Sequence, residues 1–542
     1  MNKLLTELRD EGLDVPKDAR SFLGTPRNTA ILEKAGGKYV YLGLKDQLVQ
    51  SLEKLPHQDQ IELQINVDGC PAPFAHRKSF WPILVRGFKQ QFSPVMCCLW
   101  FGTSKPKPTD DFLRDFLDEI KALIDEGIQV NGQAVTLSIQ AFICDTPARA
   151  DLKGTKGHSG YYACERCTLK GDRSNGCASF VTINPVNKRT DDDFDQHRYS
   201  GLDASGQRKH QTSLSPLIGV VPCVSGFVLD SMHLVYLGVM KRLLSAWCDG
   251  IGPFIACKLS RAQQNLVSQR LLHYRGALPS EFSRQPQCLP HTDGWKATEY
   301  RAFLLYTGPI VMKDVLSKPH YKHFIALAVA ISILCDENEE SRNQFLDYAS
   351  SLIKFFVKES PKLYSDGFVT YNIHSLLHVP EDVEHFDASL DSISAFPFES
   401  YLRFLKSLVR GSKNPIKQVV NRLAERKSFN IDRELTLSKC KISSQPPDNG
   451  FFITEREVLI ISELSAENVN GNIVNVDKFE DCFKCGINSC QFAIGYVTHQ
   501  TIRTSRHVSI RTLNYISKAV MFQDEGGFHV FPVHHEPSEK KD

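Results

Sequence analysis

Apolar residues follow a strand-like pattern in three consecutive segments between residues 60 and 102, and the first segment alternates apolar and polar positions. The segments are IELQINVDG, WPILVRGF and VMCCLWFG, and each is rich in β-branched or aromatic residues. Pro, Gly or charged residues separate them, as expected of turns between strands. The pattern therefore predicts three consecutive β-strands.

A helical period follows the third predicted strand. Residues 110–128 place Phe112, Phe116 and Ile120 on one stripe, with acids at the start and Gly127 as the stop. The next apolar segment, TLSIQAFICDTP, predicts a fourth strand that ends in an acid and a Pro. Three strands, a helix and a further strand predict an α/β sheet with at least one crossover.

The patterns along the whole chain divide it into five parts. The parts are an N-terminal helical or irregular segment (1–59), the first part of an α/β core (60–235), a mostly helical insertion (236–393), a final core helix (394–430) and a β-rich C-terminal domain with a tail (431–542). Within the first part, short helices are predicted at 3–11 and 44–55. The last residues, EPSEKKD, are expected to be disordered.

Composition and charge exclude several functions. The 64 Lys and Arg residues against 62 Asp and Glu give a net charge of +2, so DNA contact must come from local basic patches. The first 30 residues have no apolar run suited to a signal peptide, and residues 324–335 are too short to cross a bilayer, which needs roughly 20 residues. We therefore expect a protein without membrane contact whose 16 Cys are reduced thiols.

Two acids stand at the ends of predicted strands. Asp68 follows the first strand and precedes Gly69, and Asp145 follows the fourth strand. If these strands are neighbours, the two carboxylates can share a divalent cation, since Mg²⁺ and Mn²⁺ prefer oxygen ligands. Two such ions activate the attacking oxygen and stabilise the leaving oxygen in phosphoryl transfer.

A third acid lies in the segment SAFPFESYLRFLKSLVR, which predicts a helix that begins at Pro397. Spacings of four, three and four place a row of side chains on one helix face. The row consists of Glu399, Arg403, Lys406 and Arg410. Bases extending from a metal-binding Glu could contact a DNA backbone. The spacing alone also fits an acid favoured by the helix dipole beside solvated bases.

Four segments in this order resemble the transposases of the CACTA, or En/Spm, superfamily. They are INVDGCPAPFAHRKSFWPILV, AFICDTPARADLKGTKGHSGYYACERC, LDSMHLVYLGVMKRLL and SAFPFESYLRFLKSLVR, and the resemblance as a whole covers about residues 60–426. The resemblance implies a ribonuclease-H-like core, split by a helical insertion, with a catalytic DDE triad at Asp68, Asp145 and Glu399. It also implies a homo-oligomeric nuclear enzyme that uses two Mg²⁺ or Mn²⁺ ions to cut transposon ends and join them to target DNA.

Cys164 and Cys167 have the two-residue spacing that lets both thiolates bind one zinc ion. The family pattern adds a downstream Asp-x-x-His motif, matched by Asp230 and His233, which makes His233 the candidate for a third ligand. The candidates for the remaining position are His158, Cys177 and Cys223. We expect one structural zinc, with buried reduced cysteines as the alternative interpretation.

Trp295, Lys296 and Arg301 stand at the start of a predicted helix of the insertion. An aromatic ring and two bases at such a point could stack on or clamp a flipped nucleotide of the transposon end. A tryptophan packed in the core is the alternative interpretation.

Two features depart from the pattern of a transposase. Residues 1–60 contain no recognisable zinc finger or helix-turn-helix, so a separate protein could recognise the transposon ends. No basic nuclear-localisation run is present, so a nuclear location follows from the substrate alone. Two other functions stay open: a transposase-derived nuclear protein that binds DNA or proteins without cutting, and an unrelated zinc-dependent interaction module.

Overall fold

A mixed β-sheet of eight strands forms the centre of the first half of the chain. The computed structural model describes residues 1–89, 92–174, 176–182, 186–250, 252–429, 440–465, 467–487 and 489–535. The strands are β1 (Leu32–Lys34), β2 (Gly37–Tyr41), β3 (Gln60–Val67), β4 (Cys70–Pro71), β5 (Ser79–Gly87), β6 (Val95–Gly102), β7 (Ile128–Val130) and β8 (Gln133–Phe142). Their order is β1-β2-β6-β5-β3-β8-β7, with β4 paired to β5.

The helices of this half cover one face of the sheet or lie at its ends. They are α1 (Asn2–Asp10), α2 (Ala19–Phe22), α3 (Lys45–Leu52), α4 (Thr109–Glu126), α5 (Thr146–Lys153) and α6 (Asp191–Asp195). A short hairpin of β9 (Asp172–Ser174) and β10 (Cys177–Ser179) lies between α5 and α6. The predicted α/β class is confirmed at this level: the chain is a mixed α/β protein.

The strands predicted from alternation are present. Strands β3, β5 and β6 form an antiparallel meander, and β8 runs parallel to β3. A parallel pair needs a crossover, which α4 supplies by burying Phe112, Phe116 and Ile120 against the sheet. The helix ends at Gly127, whose φ of 69° lies in the left-handed region that favours glycine.

The N-terminal segment contributes to the same sheet, which the sequence pattern did not predict. Strand β2 pairs with β6 and β1 pairs with β2, so residues 32–41 extend the sheet at one edge. The predicted helices at 3–11 and 44–55 are present as α1 and α3. Residues 1–59 are therefore only partly a separate segment.

The helical insertion is also present. Its elements are a π-helical segment (Met232–Met240), α7 (Lys241–Cys248), α8 (Arg261–His273), α9 (Ala297–Ala302), a second π-helical segment (Phe303–Thr307), α10 (Gly308–Val311), α11 (Lys318–Leu334), α12 (Glu339–Leu363), α13 (Tyr371–Ser375) and α14 (Val379–His385). Helix α11 is buried along most of its length. Within the described residues, no helix combines the length and apolarity that a membrane span requires.

Two helices follow the insertion, and a β-rich region follows them. They are α15 (Phe396–Ser407) and α16 (Pro415–Ser428), then β11 (Gly450–Thr454), β12 (Glu457–Leu464), β13 (Val469–Asn475), β14 (Gly495–Thr498), α17 (His499–Arg503), β15 (Arg506–Ile510), β16 (Ser517–Gln523) and β17 (Gly527–Pro532). The second sheet has the order β14-β17-β16-β11-β12-β13-β15. The β-rich region is thus confirmed, whereas the predicted disordered tail lies outside the described residues.

Apolar side chains bury both faces of the first sheet. One cluster joins β3, β5 and β6 to α3 and α4. The other joins the opposite face to the helical insertion, to α15 and to part of the C-terminal sheet. The carboxyl ends of β3 and β8 therefore open beside the insertion and α15.

Candidate active site and metal centre

A β-bulge aligns the ends of β3 and β8. The partners of the two strands differ by 76 positions before the bulge (139 − 63) and by 77 after it (142 − 65), so Gln140 is the extra residue. A one-residue shift turns every later side chain to the opposite face. Continued past the strand ends, the offset of 77 aligns Asp145 with Asp68 (145 − 68 = 77).

Asp68 is 7% exposed and lies at the centre of a cluster of acids. Burial raises the pKa of Asp68 well above its usual range, and the negative charges of Asp145 and Glu399 raise it further. Oxygen or nitrogen atoms of Asp68, His233 and Glu399 lie within 4.8 Å of one another. A divalent cation would offset this repulsion, so the donor set fits a metal site.

Two helix N-termini orient the other acids. Asp145 caps α5, and its Oδ1 accepts a hydrogen bond from the backbone N–H of Ala148 at 2.7 Å. Glu399 lies in the first turn of α15, where the helix dipole favours a negative charge. A carboxylate oxygen of Glu399 thus lies within 4.8 Å of the buried Asp68, and the negative charge of Asp145 also acts on Asp68.

His233 belongs to this acid cluster and not to the cysteine pair, so its assignment as a zinc ligand is wrong. Its Nδ1 lies 2.6 Å from Asp230 Oδ2, which leaves Nε2 free to bind another group. Asp230 is fully buried, and its Oδ1 also accepts a hydrogen bond from the N–H of Ala395 at the start of α15. One carboxylate therefore positions both His233 and the helix that carries Glu399.

The charge state of His233 follows from these neighbours. Burial by itself lowers the pKa of His233, but the hydrogen bond to Asp230 and the charges of Asp68 and Glu399 outweigh it and raise the pKa to about 9. In the metal-free protein the imidazole is therefore a cation at neutral pH, and it offsets part of the repulsion among the acids.

The cysteine pair forms a second cluster with two histidines from α13 and the turn before α14. Cys167 Sγ lies 3.4 Å from Cys164 Sγ and 3.3 Å from His374 Nε2, and Cys164 Sγ lies 3.6 Å from His378 Nε2. All four side chains are buried. They could bind a metal ion such as zinc.

The distances within the Cys and His cluster match the edges of a zinc tetrahedron. Zn–S bonds of about 2.3 Å and Zn–N bonds of about 2.0 Å give ligand-to-ligand separations of about 3.3–3.8 Å. The hydrogen bond to Cys164 lowers the pKa of Cys167, which favours the thiolate that binds metal. His378 Nδ1 lies 3.6 Å from a carboxylate oxygen of Glu381, an outer contact typical of metal-bound histidine.

The sequence contains a signal for these two ligands that the pattern analysis missed. His374 and His378 are four residues apart in YNIHSLLHV, the His-x-x-x-His spacing of many zinc sites. They lie more than 200 residues from the cysteines, so only the fold shows that the pairs belong together. The residues proposed for the fourth position lie elsewhere: Cys223 is near Ser215, and His158 and Cys177 are exposed.

Buried ion pairs connect the two clusters. Between the cysteines, Glu165 accepts hydrogen bonds from Arg149 and Lys153 of α5, at 3.0 and 2.6 Å. Arg149 also donates to the carbonyl of Cys144 at 2.8 Å, immediately before Asp145. The loop between Cys164 and Cys167 therefore supports the backbone that carries Asp145.

A second buried ion pair supports His233. Arg166 contacts Asp382 Oδ1 at 2.7 Å, and Asp382 Oδ2 accepts the N–H of Leu229 at the same distance. Leu229 directly precedes Asp230, which binds His233. The loop between the cysteines is thus linked to the histidine of the acid cluster.

The predicted basic row is only partly on the helix. Arg403 is exposed and Lys406 is half-buried. The positive charge of Lys406 and the negative charges of Asp68 and Glu399 all act on the Cys70 thiol. Burial raises the pKa of that thiol to about 12. Helix α15 ends at Ser407, so the placement of Arg410 on the same helix face is wrong. Arg410 lies in the following loop, where its backbone N–H donates to Gln418.

The proposed nucleotide clamp is not available at the surface. Trp295 is 6% exposed and packs on Tyr300 and Phe303. Arg301 is buried in an ion pair with Asp391 at 2.7 Å. Burial excludes Trp295 and Arg301 from stacking on a base in this conformation, so that interpretation is wrong for both. Lys296 is exposed.

Comparison of the chain with models of known protein families and with curated proteins gave no match. The geometry of the two clusters therefore carries the functional argument.

Proposed function

We propose that this chain is a DNA transposase of the CACTA type, in which Asp68, Asp145 and Glu399 hold two Mg²⁺ or Mn²⁺ ions for strand cleavage and transfer. The observation that carries the proposal is that Glu399 and His233 place ligand atoms within 4.8 Å of the buried carboxylate of Asp68, on which the charge of Asp145 also acts. Three acids gathered at one strand end serve little structural purpose, because their mutual repulsion opposes folding.

The sheet order supports a ribonuclease-H-like core. In such a core an antiparallel three-strand meander is followed, through a helix, by a strand parallel to the first. Strands β6, β5, β3 and β8 have this arrangement. A parallel bridge from Phe142 to Phe227 continues the order with one further extended segment before Asp230. The helical insertion then separates this core from α15, which carries the third acid.

The chemistry proposed is phosphoryl transfer in two steps. A water oxygen bonds to the scissile phosphorus as its bond to the 3′ oxygen breaks, which leaves a 3′ hydroxyl and a 5′ phosphate. That hydroxyl then attacks a phosphorus of the target DNA, whose own 3′ oxygen leaves. Bound Mg²⁺ or Mn²⁺ supplies Lewis acidity at the attacking and leaving oxygens.

The residues of the chain have distinct parts in this reaction. Asp68, Asp145 and Glu399 would bind the cations, and His233, held through Nδ1 by Asp230, would donate from Nε2 to a phosphate oxygen. The exposed Arg403 and the half-buried Lys406 lie about one and two turns along the helix from Glu399, where a DNA backbone would pass. A DNA substrate also implies that the protein acts in the nucleus and that two copies of it form a homo-oligomer on the two transposon ends.

We further propose that Cys164, Cys167, His374 and His378 bind one structural zinc ion. The ligand set is closed, with four protein donors and no position for water, which is the pattern of structural sites. Its contribution would be to hold the loop of Glu165 and Arg166 in place, and through that loop both Asp145 and Asp230.

The test is manganese-dependent nicking of DNA that carries the element's own ends. Asp68→Asn, Asp145→Asn and Glu399→Gln keep the side-chain shape but remove a charge, so nicking and joining should fall at least about 100-fold while DNA binding survives. Lys121→Gln is a matched control, since this exposed residue of α4 lies outside the acid cluster.

Three outcomes are distinguishable in this experiment. Unchanged nicking by Asp68→Asn would contradict the triad. DNA binding without nicking by the unmodified chain would favour the transposase-derived protein that binds DNA without cutting. Absence of both DNA binding and nicking would favour a zinc-dependent interaction module.

A further inference from the structure

The loop between β4 and β5 exposes an aromatic ring directly after the first acid. Pairing of Cys70 with Phe80 closes its base, and the N–H of Ala72 donates to the carbonyl of Lys78 at 3.0 Å. We name residues 72–78 the Phe74 loop. Phe74 is 66% exposed, more than any other phenylalanine in the described part of the chain, and no described ring stacks on it.

The backbone of the Phe74 loop holds this ring outward at a conformational cost. Phe74 and Arg77 have φ values of 57° and 56°, in the left-handed region that bulky side chains rarely adopt. Exposure of a phenyl ring is itself unfavourable in water. The left-handed backbone and the exposure of the ring would both be relieved if the loop relaxed or the ring packed inward. The fold therefore maintains an outward-facing ring at position 74.

The loop begins at the acid cluster. Cys70, at its base, is only two residues from Asp68 in the chain. Phe74 follows only four residues later, so its Cα is at most about 14 Å from that of Cys70. The Phe74 loop is therefore the tip of the hairpin that continues directly from the first acid.

The charges on the loop indicate the chemistry of its partner. His76, Arg77 and Lys78 follow Phe74 and are all exposed, whereas residues 72–78 contain no acid. An exposed aromatic ring beside bases matches an unpaired nucleotide, whose base stacks on the ring while phosphates contact the cations.

We propose that Phe74 stacks on an unpaired base at the DNA end and keeps that end open beside Asp68, while Arg77 and Lys78 contact the flanking phosphates. This inference rests on the proposed function, because it assigns the DNA-end contact of the same acid cluster. Stacking on a nucleotide, which the burial of Trp295 excludes for that residue, is thus assigned to Phe74.

The test compares binding of a short forked duplex with a blunt duplex of the same sequence by the full chain carrying Asp68→Asn, which prevents cutting. The forked arm carries 2-aminopurine at its first unpaired position, and its fluorescence reports stacking. The unmodified loop should prefer the fork and quench the probe. Phe74→Ala should lower that preference about tenfold and abolish quenching, since one base stack contributes about that much affinity.

Matched variants separate stacking from general binding. Phe74→Trp should restore both the preference and the quenching. Leu202→Ala, which removes another apolar side chain that is 64% exposed, should change neither. Arg77→Gln and Lys78→Gln should weaken fork and blunt duplex alike and reduce the salt dependence of binding.

The outcomes distinguish the inference from the function on which it rests. If Phe74→Ala leaves the fork preference and quenching unchanged, the inference is overturned, even where the unmodified chain nicks DNA. If quenching depends on Phe74 but the unmodified chain never nicks, the stacking role stands and the transposase proposal fails. If the chain binds neither duplex, both fail.

Discussion

At the scale of single residues, the acid cluster stores electrostatic repulsion. Asp68 is buried beside two other carboxylates, and its pKa is raised because burial and these charges disfavour the ionised form. In the unfolded chain the same group ionises near its ordinary pKa of about 3.9. Ionised Asp68 therefore opposes folding of the metal-free protein at neutral pH.

We expect Asp68→Asn to stabilise the metal-free chain by about 1 kcal/mol at pH 7.5, the size typical of removing a functional-site conflict. The sign follows from linkage. Because the pKa of Asp68 is higher in the folded than in the unfolded chain, the parent loses stability as pH rises above the unfolded pKa, whereas the variant does not. The advantage of the variant should therefore vanish near pH 4. Denaturant unfolding at both pH values measures it.

Manganese should reverse this effect, because the cation stabilises the parent chain and not the variant. Asp125→Asn, which alters an exposed acid near the end of α4, should follow the parent at every pH. An Asp68→Asn variant that is less stable than its parent at pH 7.5 without metal would contradict the argument.

The second residue-scale prediction concerns the buried Cys and His cluster. Purified chain should contain about one zinc ion, and Cys164→Ser or His374→Ala should each lose it and lower the thermal midpoint, since a structural metal contributes directly to folding. Cys177→Ser, at an exposed cysteine, should keep the metal. Elemental analysis decides, and a metal-free parent of unchanged stability would refute the site.

At the scale of elements, the Glu165 carboxylate joins the loop between Cys164 and Cys167 to two helices. Glu165 is 4% exposed and accepts hydrogen bonds from Arg149 and Lys153 of α5 and from Tyr371 of α13, the last at 2.7 Å. Burial alone would raise the pKa of Glu165, but Arg149 and Lys153 outweigh it and hold the pKa well below its usual range. Glu165 is therefore ionised in the folded protein at neutral pH.

Glu165→Gln should cost about 3–5 kcal/mol of unfolding free energy at pH 7, because it leaves two buried cations without a counter-charge. A lowered folded pKa gives stability above the unfolded pKa that is lost as pH falls towards the folded pKa, so the difference between parent and variant should begin to shrink below about pH 4. Urea unfolding measures the difference. Asp59→Asn, at a 99% exposed carboxylate, is the control and should change stability by less than about 0.5 kcal/mol. A loss no larger than that of the control would contradict this role.

At the scale of the whole molecule, the first 59 residues are part of the core. Strand β2 covers the edge of β6, and α3 buries Leu48 against α4. Residues 19–31 also contact α16, where Thr29 donates to Asn421 at 3.1 Å and Phe22 packs on Phe429. A chain without this segment would expose an unpaired strand edge and apolar surface.

Removal of residues 1–59 should therefore yield aggregated protein or a thermal midpoint lowered by at least about 10 °C. Removal of residues 1–17 alone should have a much smaller effect, because α1 buries only Leu5. Soluble yield and calorimetry of the two truncated chains measure the difference. Equal behaviour of both would show that β1, β2 and α3 are dispensable.

Much of the fold could be predicted because it depends on local patterns. A period of 3.6 marks α4, alternation marks β3, and apolar runs rich in β-branched or aromatic residues mark β5, β6 and β8, of which β5 and β6 are largely buried. The acids at 68, 145 and 399 each stand at a strand end or in a first helical turn, which the local sequence indicates, but the resemblance to CACTA transposases was needed to select them as a triad.

The tertiary structure alone decided which distant groups meet. An extra residue at Gln140 sets the register that aligns Asp145 with Asp68, and neighbouring residues do not reveal the pairing partner. His374 and His378 join the cysteines across more than 200 residues, while His233 turns to the acids instead. For the same reason Trp295, proposed from the sequence to contact a nucleotide, is buried, whereas Phe74 is exposed. Burial, register and ligand geometry depend on contacts between segments far apart in sequence, which local periodicity does not encode.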